Sequence, residues 1–145
     1  MRLFLLCWAL LGARTTALCQ VVAAFDTEQS GVHYATRLTL DQLASSPEWR
    51  SDEPNPPLAV REAMEAASTQ LKRLFDNADE WQLETLTLER VRDRWIYDVA
   101  FTAPPPPECK DCLAFPFRVL VTMDGKAVPI ETSPAKMQPA VVNKQ

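Results

Sequence analysis

Cys109 and Cys112 form the one sharp local motif of this chain, a Cys-Lys-Asp-Cys sequence that follows a run of prolines. Two cysteines at this spacing can close a disulfide, exchange electrons as a thiol pair, or supply half of a tetrahedral zinc site. A reactive thiolate needs a positive environment, whereas Glu108 and Asp111 add negative charge and a strand pattern follows. We therefore expect Cys109 and Cys112 to form a structural disulfide. The alternatives are a redox-active thiol pair and a metal site that is shared with a second chain.

Residues for acid–base or nucleophilic chemistry are sparse. His33 is the single histidine, and no Gly-x-Ser-x-Gly motif supplies a serine nucleophile. Asp76, Asp79 and Glu80 stand close together but lack the spaced ligands and the glycine of a calcium loop. Three glycines are also too few for most phosphate-binding loops. The sequence thus predicts no catalytic residues, no metal site and no cofactor, and it favours a protein that is not an enzyme.

The first 19 residues have the pattern of a signal peptide. Arg2 is followed by nine apolar residues, which suits the core of a signal peptide and is too short to span a membrane. Thr15 and Ala17 are small residues at the right spacing for cleavage after Ala17. We therefore expect an exported protein, periplasmic or secreted, without a membrane span. Cys19 offers an alternative lipid anchor, although the residue before it is bulky.

Composition favours a single globular domain. The chain has 145 residues, of which 47% are hydrophobic and 23% charged, and its formal net charge is -4. This apolar fraction suffices for a buried core, whereas an acidic chain without a basic cluster does not suit nucleic-acid binding. We predict that the partner is another envelope or secreted protein and not a nucleic acid.

One amphipathic helix is predicted over residues 57–75. Asn55 and the prolines after it suit the start of such a helix. Spacings of three and four residues place the apolar side chains on one helical face. The face consists of Val60, Met64 with Ala63, Ala67, Leu71, Leu74 and Phe75.

The segment before this helix, residues 20–56, is expected to be an N-terminal arm that leads into a proline-rich connector. A weak alternation near Val32 indicates a short strand, and residues 41–44 indicate a single turn of helix. Trp49 is a large apolar group within the connector. We expect it to anchor the connector to the domain.

Three strand candidates follow the helix. Residues 81–88 alternate but slip in phase, which a β-bulge near Glu84 and Thr85 would repair. Residues 95–102 and 115–123 alternate strictly and carry aromatic side chains on one face. These patterns indicate strands of one antiparallel meander.

The last part of the chain predicts a turn, a short strand and a tail. Asp124-Gly125 is a favoured hairpin dipeptide, and residues 126–130 would add a fourth strand at the edge of the sheet. Residues 132–145 lack periodicity, so we expect a flexible tail.

These elements predict an α+β fold in which one long helix packs on a three- to four-stranded antiparallel meander sheet, formed by residues 57–131. The helix stripe and the aromatic face of the sheet would bury each other. The opposite face of the sheet also carries apolar residues, Ile96, Ala100 and Leu120. Either the N-terminal segment covers them or they form a partner surface.

The order of helix and strands over residues 57–130 resembles the small PepSY-like and cystatin-like domains of exported proteins. The residues that carry this resemblance are the predicted helix at residues 57–74, then Trp81 and Leu83, then Arg94, Trp95, Tyr97 and Val99, then Val119 and Val121, and finally Asp124-Gly125 and Val128. The resemblance covers about half of the chain and concerns the pattern of the fold. Such domains are generally binding or inhibitory modules, so it implies a similar role here.

The sequence therefore predicts a non-enzymatic binding or interaction module of the cell envelope or the secreted space. The loop around Cys109 and Cys112 would be a tip presented to the partner. The alternative is an envelope protein that acts through the same two cysteines, either in thiol redox chemistry or as a metal carrier.

Overall fold

The computed structural model describes residues 20–50, 52–105 and 116–135. Strands make up 46% of these residues and helices 23%, so the protein is built mainly from β structure. The predicted signal peptide, Cys19, Cys109 and Cys112 lie outside the described residues, as does most of the predicted tail.

The first sheet is built largely from the N-terminal residues. β1 (Val21–Gln29) and β2 (Val32–Thr39) pair antiparallel, and β6 (Ile130–Pro134) pairs with the other side of β2. The turn between β1 and β2 holds Ser30 and Gly31 at φ values of 51° and 75°. Tight hairpin turns of this kind need positive φ, which glycine adopts without strain.

The second sheet contains the strands that follow the main helix. β3 (Gln82–Val91), β4 (Arg94–Thr102) and β5 (Phe117–Thr122) pair antiparallel in that order. The register of β3 against β4 shifts between Leu83 and Thr85, which confirms the predicted bulge. The shift brings the leucines of β3 to one face of the sheet.

Two helices lie between these strands in the chain. α1 (Leu40–Ser45) begins with a capping box between Thr39 and Gln42, and it confirms the predicted single turn of helix. α2 (Val60–Leu74) confirms the main predicted helix.

The buried face of α2 is made of small and apolar residues, Ala63, Ala67 and Leu71. They pack with Tyr97, Phe117 and other side chains of the second sheet in one core cluster. The predicted stripe was wrong at Val60, which is 49% exposed. The buried face is turned relative to the predicted one, because the small side chains of Ala63 and Ala67 let the helix backbone lie close to the sheet. Val60 lies outside this face, towards solvent.

The predicted fold of one long helix on a single meander sheet is wrong. The segment expected to be an arm contributes β1 and β2 to a separate sheet. The predicted fourth strand at residues 126–130 is reduced to one bridge between Ala127 and Val121, after which the chain crosses to β2 as β6. Pairing between β2 and β6 joins residues far apart in the chain, so no local pattern indicates it.

The predicted partner surface at Ile96, Ala100 and Leu120 is not available. Ile96 and Leu120 have no exposed area, and Ala100 is 6% exposed. A second core cluster covers this face of the sheet, and its other members include Leu38 of β2 and Leu43 of α1. The N-terminal segment therefore helps to bury Ile96 and Leu120, which was the other outcome that the sequence allowed.

A buried ion pair lies on the same face. The carboxylate of Asp98 is 2% exposed and accepts a hydrogen bond from the guanidinium of Arg118 on the neighbouring strand. The guanidinium also lies 4.3 Å from the centre of the Phe25 ring and 3.6 Å from Glu89. Burial raises the pKa of the Asp98 carboxyl, and the nearby Arg118 opposes that rise. The pair joins the second sheet to β1 of the first.

Candidate functional site

The connector after α1 is fixed to the second sheet at both of its ends. Arg94 donates to the carbonyl of Ser46 at 3.1 Å, and the amide of Met123 donates to the Ser46 hydroxyl oxygen at 3.1 Å. At the other end the hydroxyl of Tyr97 donates to the carbonyl of Leu58 at 2.9 Å in a buried position. These three long-range hydrogen bonds hold the connector across one end of the sheet.

Trp49 of the connector packs on Trp95 at the start of β4. The ring centres are 5.2 Å apart and the rings are tilted by 60°. Trp95 in turn packs against the core under α2. This contact confirms that Trp49 anchors the connector. Both side chains remain partly exposed, so the pair has a core side and a solvent side.

A cleft of about 290 Å³ opens beside the two tryptophans. Its rim is charged, with Glu48, Arg50 and Asp52 on the connector and Arg90 and Asp93 on the β3–β4 hairpin. We call this site the tryptophan cleft; its lining residues are Glu48, Trp49, Arg50, Asp52, Arg90, Asp93 and Trp95.

The rim charges differ in their pairing. Arg50 holds Asp52 through two hydrogen bonds of 3.1 and 3.0 Å. Glu48, Arg90 and Asp93 make no ion pair with any other described residue. The cleft thus presents both a cation and carboxylates that are available to a second molecule.

Two unfavourable features occur at this cleft or in the turn that borders it. The indole N–H of Trp49 is buried and finds no acceptor among the described residues, which costs about 1–3 kcal/mol for a buried donor. Arg92 in the β3–β4 turn has φ of 58°, in the left-handed region that favours glycine.

Comparisons with known proteins return no relative: no family model, no curated protein and no solved structure matches this chain. The resemblance to PepSY-like and cystatin-like domains therefore stays a prediction. No helix among the described residues is both long and apolar enough to cross a membrane. The same residues contain no group of three His, Cys, Asp or Glu side chains placed to hold a metal.

The chemistry-bearing residues singled out in the sequence that the structure describes do not meet at the tryptophan cleft. His33 lies on the first sheet, where its Nε2 is 3.2 Å from Asp26 and its Nδ1 is 4.0 Å from Glu28. Arg37 donates to Asp26 at 2.7 Å, and this hydrogen bond lowers the pKa of the Asp26 carboxyl. The cluster lies on a partly exposed face of the first sheet.

The tryptophan cleft itself was missed by sequence reasoning. Its two halves are a connector near Trp49 and a charged hairpin turn near Arg92, and neither half carries a periodic pattern. One signal was available in the sequence. Trp49 lies in a connector and Trp95 lies at the start of a strand, and a half-buried tryptophan needs a large apolar surface to pack on.

Proposed function

We propose that this protein is a non-enzymatic, exported binding module whose partner, another envelope or secreted protein, docks on the tryptophan cleft. The observation that carries the proposal is the arrangement of the cleft, in which two half-buried tryptophans are surrounded by charges of both signs. Protein interfaces share this anatomy, because an aromatic centre excludes water and a polar rim fixes orientation. Tryptophan and arginine are also the residues most enriched at such centres.

The support beneath the cleft suits recognition by a preformed surface. The connector is tied down at Ser46 and Leu58, and Trp95 belongs to a central strand of the sheet. Little ordering is then required when a partner binds, and this lowers the entropic cost of association. A backbone in a strained conformation beside an unpaired buried donor is also more common at functional sites than elsewhere.

The free rim charges would set the choice of partner. Arg90 can pair with a carboxylate of the partner, and Glu48 and Asp93 can pair with its cations. Complementary rim charges mainly raise the rate of association and exclude wrong partners. The expected partner surface is therefore a mixed-charge patch around an apolar or aromatic side chain that fills the cleft.

Export is supported by the signal-like pattern of residues 1–19. The alternative role, thiol redox chemistry or metal carriage through Cys109 and Cys112, concerns residues outside the described part of the chain. Titration of the thiols in the native protein separates this role from the binding role.

The proposal is tested by capture from the culture medium or envelope fraction of the native host, followed by quantitative mass spectrometry. We expect a protein that is enriched on the wild-type bait and reduced at least tenfold on Asp93→Lys and Trp49→Ala baits. Glu131→Lys reverses an exposed charge on the first sheet and serves as the matched control, so it should capture as the wild type does. Equal capture on the Asp93→Lys and Glu131→Lys baits would contradict the proposed site.

A further inference from the structure

β3 leaves one side of the second sheet without a neighbouring strand in the part of the chain that the structure describes. It is ten residues long, which is at the upper end of the usual range of strand lengths. At the other edge of the sheet, the chain after β5 folds back and forms hydrogen bonds with β5. There the amide of Thr122 donates to Lys126 at 3.0 Å and that of Val128 donates to Leu120 at 2.8 Å.

The open edge carries little of the protection that edge strands usually have. Residues 82–91 contain no proline and no lysine, the two residue types that most often block pairing at an edge. The bulge lies at the beginning of the strand, between Leu83 and Thr85, so the register is regular from Thr85 to Val91. A regular edge offers a row of N–H and C=O groups to another strand.

The apolar side chains of β3 are only partly covered. Leu86 and Leu88 lie opposite Val99 and Tyr97 of β4 and pack at the border of the core. Leu83 on the same face is 41% exposed. Thr85 and Thr87 alternate with these leucines and are exposed on the other face of the sheet. A strand added at this edge would extend the leucine row and cover it.

We propose that a second copy of this chain pairs antiparallel with β3 along this edge, around a two-fold axis at Thr87. In this register Leu86 faces Leu88 of the partner subunit, and Thr85 faces Glu89 of the partner subunit. Thr87 faces Thr87 of the partner subunit. Apolar side chains thus meet on one face of the sheet and polar side chains on the other, as cross-strand pairing favours. The two copies would form one continuous six-stranded sheet.

The leucines of β3 select this register. Glu84 lies at the bulge and its carboxylate accepts a hydrogen bond from the Thr102 hydroxyl at 2.6 Å, so it does not contribute a charge pair across the edge. Moving the axis to Leu86 would place Glu84 against a leucine, and moving it to Leu88 would place Arg90 against a leucine. Of these three positions, only the axis at Thr87 places both Leu86 and Leu88 opposite leucines. This self-complementarity is the property that a symmetric interface requires.

This dimer goes beyond the proposed binding function and does not depend on it. Two substitutions on one exposed face test the register. Thr87→Lys would place two lysines against each other at the axis, whereas Thr85→Lys would place each lysine against Glu89 of the partner subunit. Like charges directly opposite on a sheet are unfavourable and opposite charges are favourable. The two variants therefore carry the same added charge but have opposite predicted effects.

The measurement is sedimentation equilibrium of the purified protein over a wide concentration range, in reducing buffer so that cysteine cross-links are excluded. We expect the wild type to move from monomer to dimer, Thr85→Lys to dimerise at least as tightly, and Thr87→Lys to weaken the dimer at least tenfold. Circular dichroism melts verify that each variant is folded, and Trp49→Ala should dimerise as the wild type does. A wild type that stays monomeric, or equal weakening by both lysine variants, would overturn the proposal.

Discussion

Trp49 and Trp95 lie with their ring centres 5.2 Å apart, although they belong to a connector and to a central strand that are 46 positions apart in the chain. This contact closes the end of the second sheet and forms the centre of the tryptophan cleft. The connector carries three of the five rim charges, so its anchoring by Trp49 also positions them. The contact between Trp49 and Trp95 therefore contributes both to the stability of the fold and to the proposed binding site. Substitutions of Trp49 that differ in size can separate the two contributions.

The tryptophan contact should have a measurable effect on stability. Trp49→Ala removes a half-buried aromatic group, so we expect the free energy of unfolding to fall by about 2 kcal/mol, less than for a fully buried tryptophan. Trp49→Phe keeps an aromatic ring on Trp95 and should restore most of the loss. Urea denaturation monitored by circular dichroism measures both variants. An unchanged midpoint in Trp49→Ala would show that the connector is held without its tryptophan.

The positive φ of Arg92 predicts that its replacement by glycine stabilises the protein. Arg92→Gly removes the clash of a Cβ in the left-handed region, and we expect a gain of about 1 kcal/mol in the free energy of unfolding. Asp93→Gly, at the next position of the same turn, is the control. Asp93 has no positive φ, so the glycine there only adds freedom to the unfolded chain and should not stabilise. Thermal melts that rank the two variants in the opposite order would contradict this account of the turn.

The Asp98–Arg118 pair predicts a specific dependence of stability on pH. Arg118→Leu leaves a buried carboxylate without its cation, so we expect a loss of about 2 kcal/mol at neutral pH, a discounted value because Arg118 is partly exposed. Burial already raises the pKa of Asp98 in the folded wild type, and in the variant Arg118 no longer opposes this rise. Asp98 therefore takes up a proton more readily in the folded variant than in the unfolded chain. The loss should therefore shrink as pH falls through that raised pKa, and it should be smallest below 3.8, the ordinary value.

Two other carboxyls act in the opposite direction and require a control. The pKa of Asp26 is lowered by the hydrogen bond from Arg37, and that of Asp124 is lowered because hydrogen bonds from Lys126 and Thr122 outweigh its burial. Their stabilising effect is lost as pH falls. The quantity to measure is thus the difference between Arg118→Leu and wild type at each pH, from denaturant titrations. In a background that carries Asp98→Asn, the loss of stability caused by Arg118→Leu should not depend on pH. If the loss caused by Arg118→Leu in the wild-type background were also independent of pH, the prediction would be refuted.

Cys109 and Cys112 separate the binding role from the alternative role. If they form a structural disulfide, the exported protein should show no reactive thiol at these positions under native conditions and should resist mild reductant. Thiol titration before and after denaturation measures this, with a Cys109→Ser and Cys112→Ser double variant as the blank. Rapid, reversible reduction of the native protein, or stoichiometric zinc binding, would support the thiol or metal-carrying role instead.

Local patterns predicted the parts of the fold that depend on neighbours in the chain. The helical spacing from Val60 to Leu71 indicated α2, and the phase slip near Glu84 indicated the bulge in β3. The division into two sheets was not predictable, because it depends on β6 crossing to β2 over about 95 residues. The face with Ile96 and Leu120 was recognised as apolar, but only the fold showed that the N-terminal hairpin covers it.

The candidate site was less predictable than the fold. Its chemistry comes from ordinary charged residues, and their significance arises only when the connector is placed beside the β3–β4 turn. The sequence could single out Trp49 as an anchor, but it could not identify Trp95 as the surface on which it rests. Strain at Arg92 is likewise a property of the backbone and has no signature in residue type.

Site-specific photo-cross-linking in the native host tests the central claim most directly. A photoreactive amino acid is introduced at Arg92, beside the tryptophan cleft, or at Thr69, an exposed position on α2 that serves as the control. The account predicts one dominant adduct with an envelope or secreted protein from position 92, absent from position 69 and lost when Trp49→Ala is added. The same adduct from both positions, or an adduct from position 92 that persists with Trp49→Ala, would contradict it.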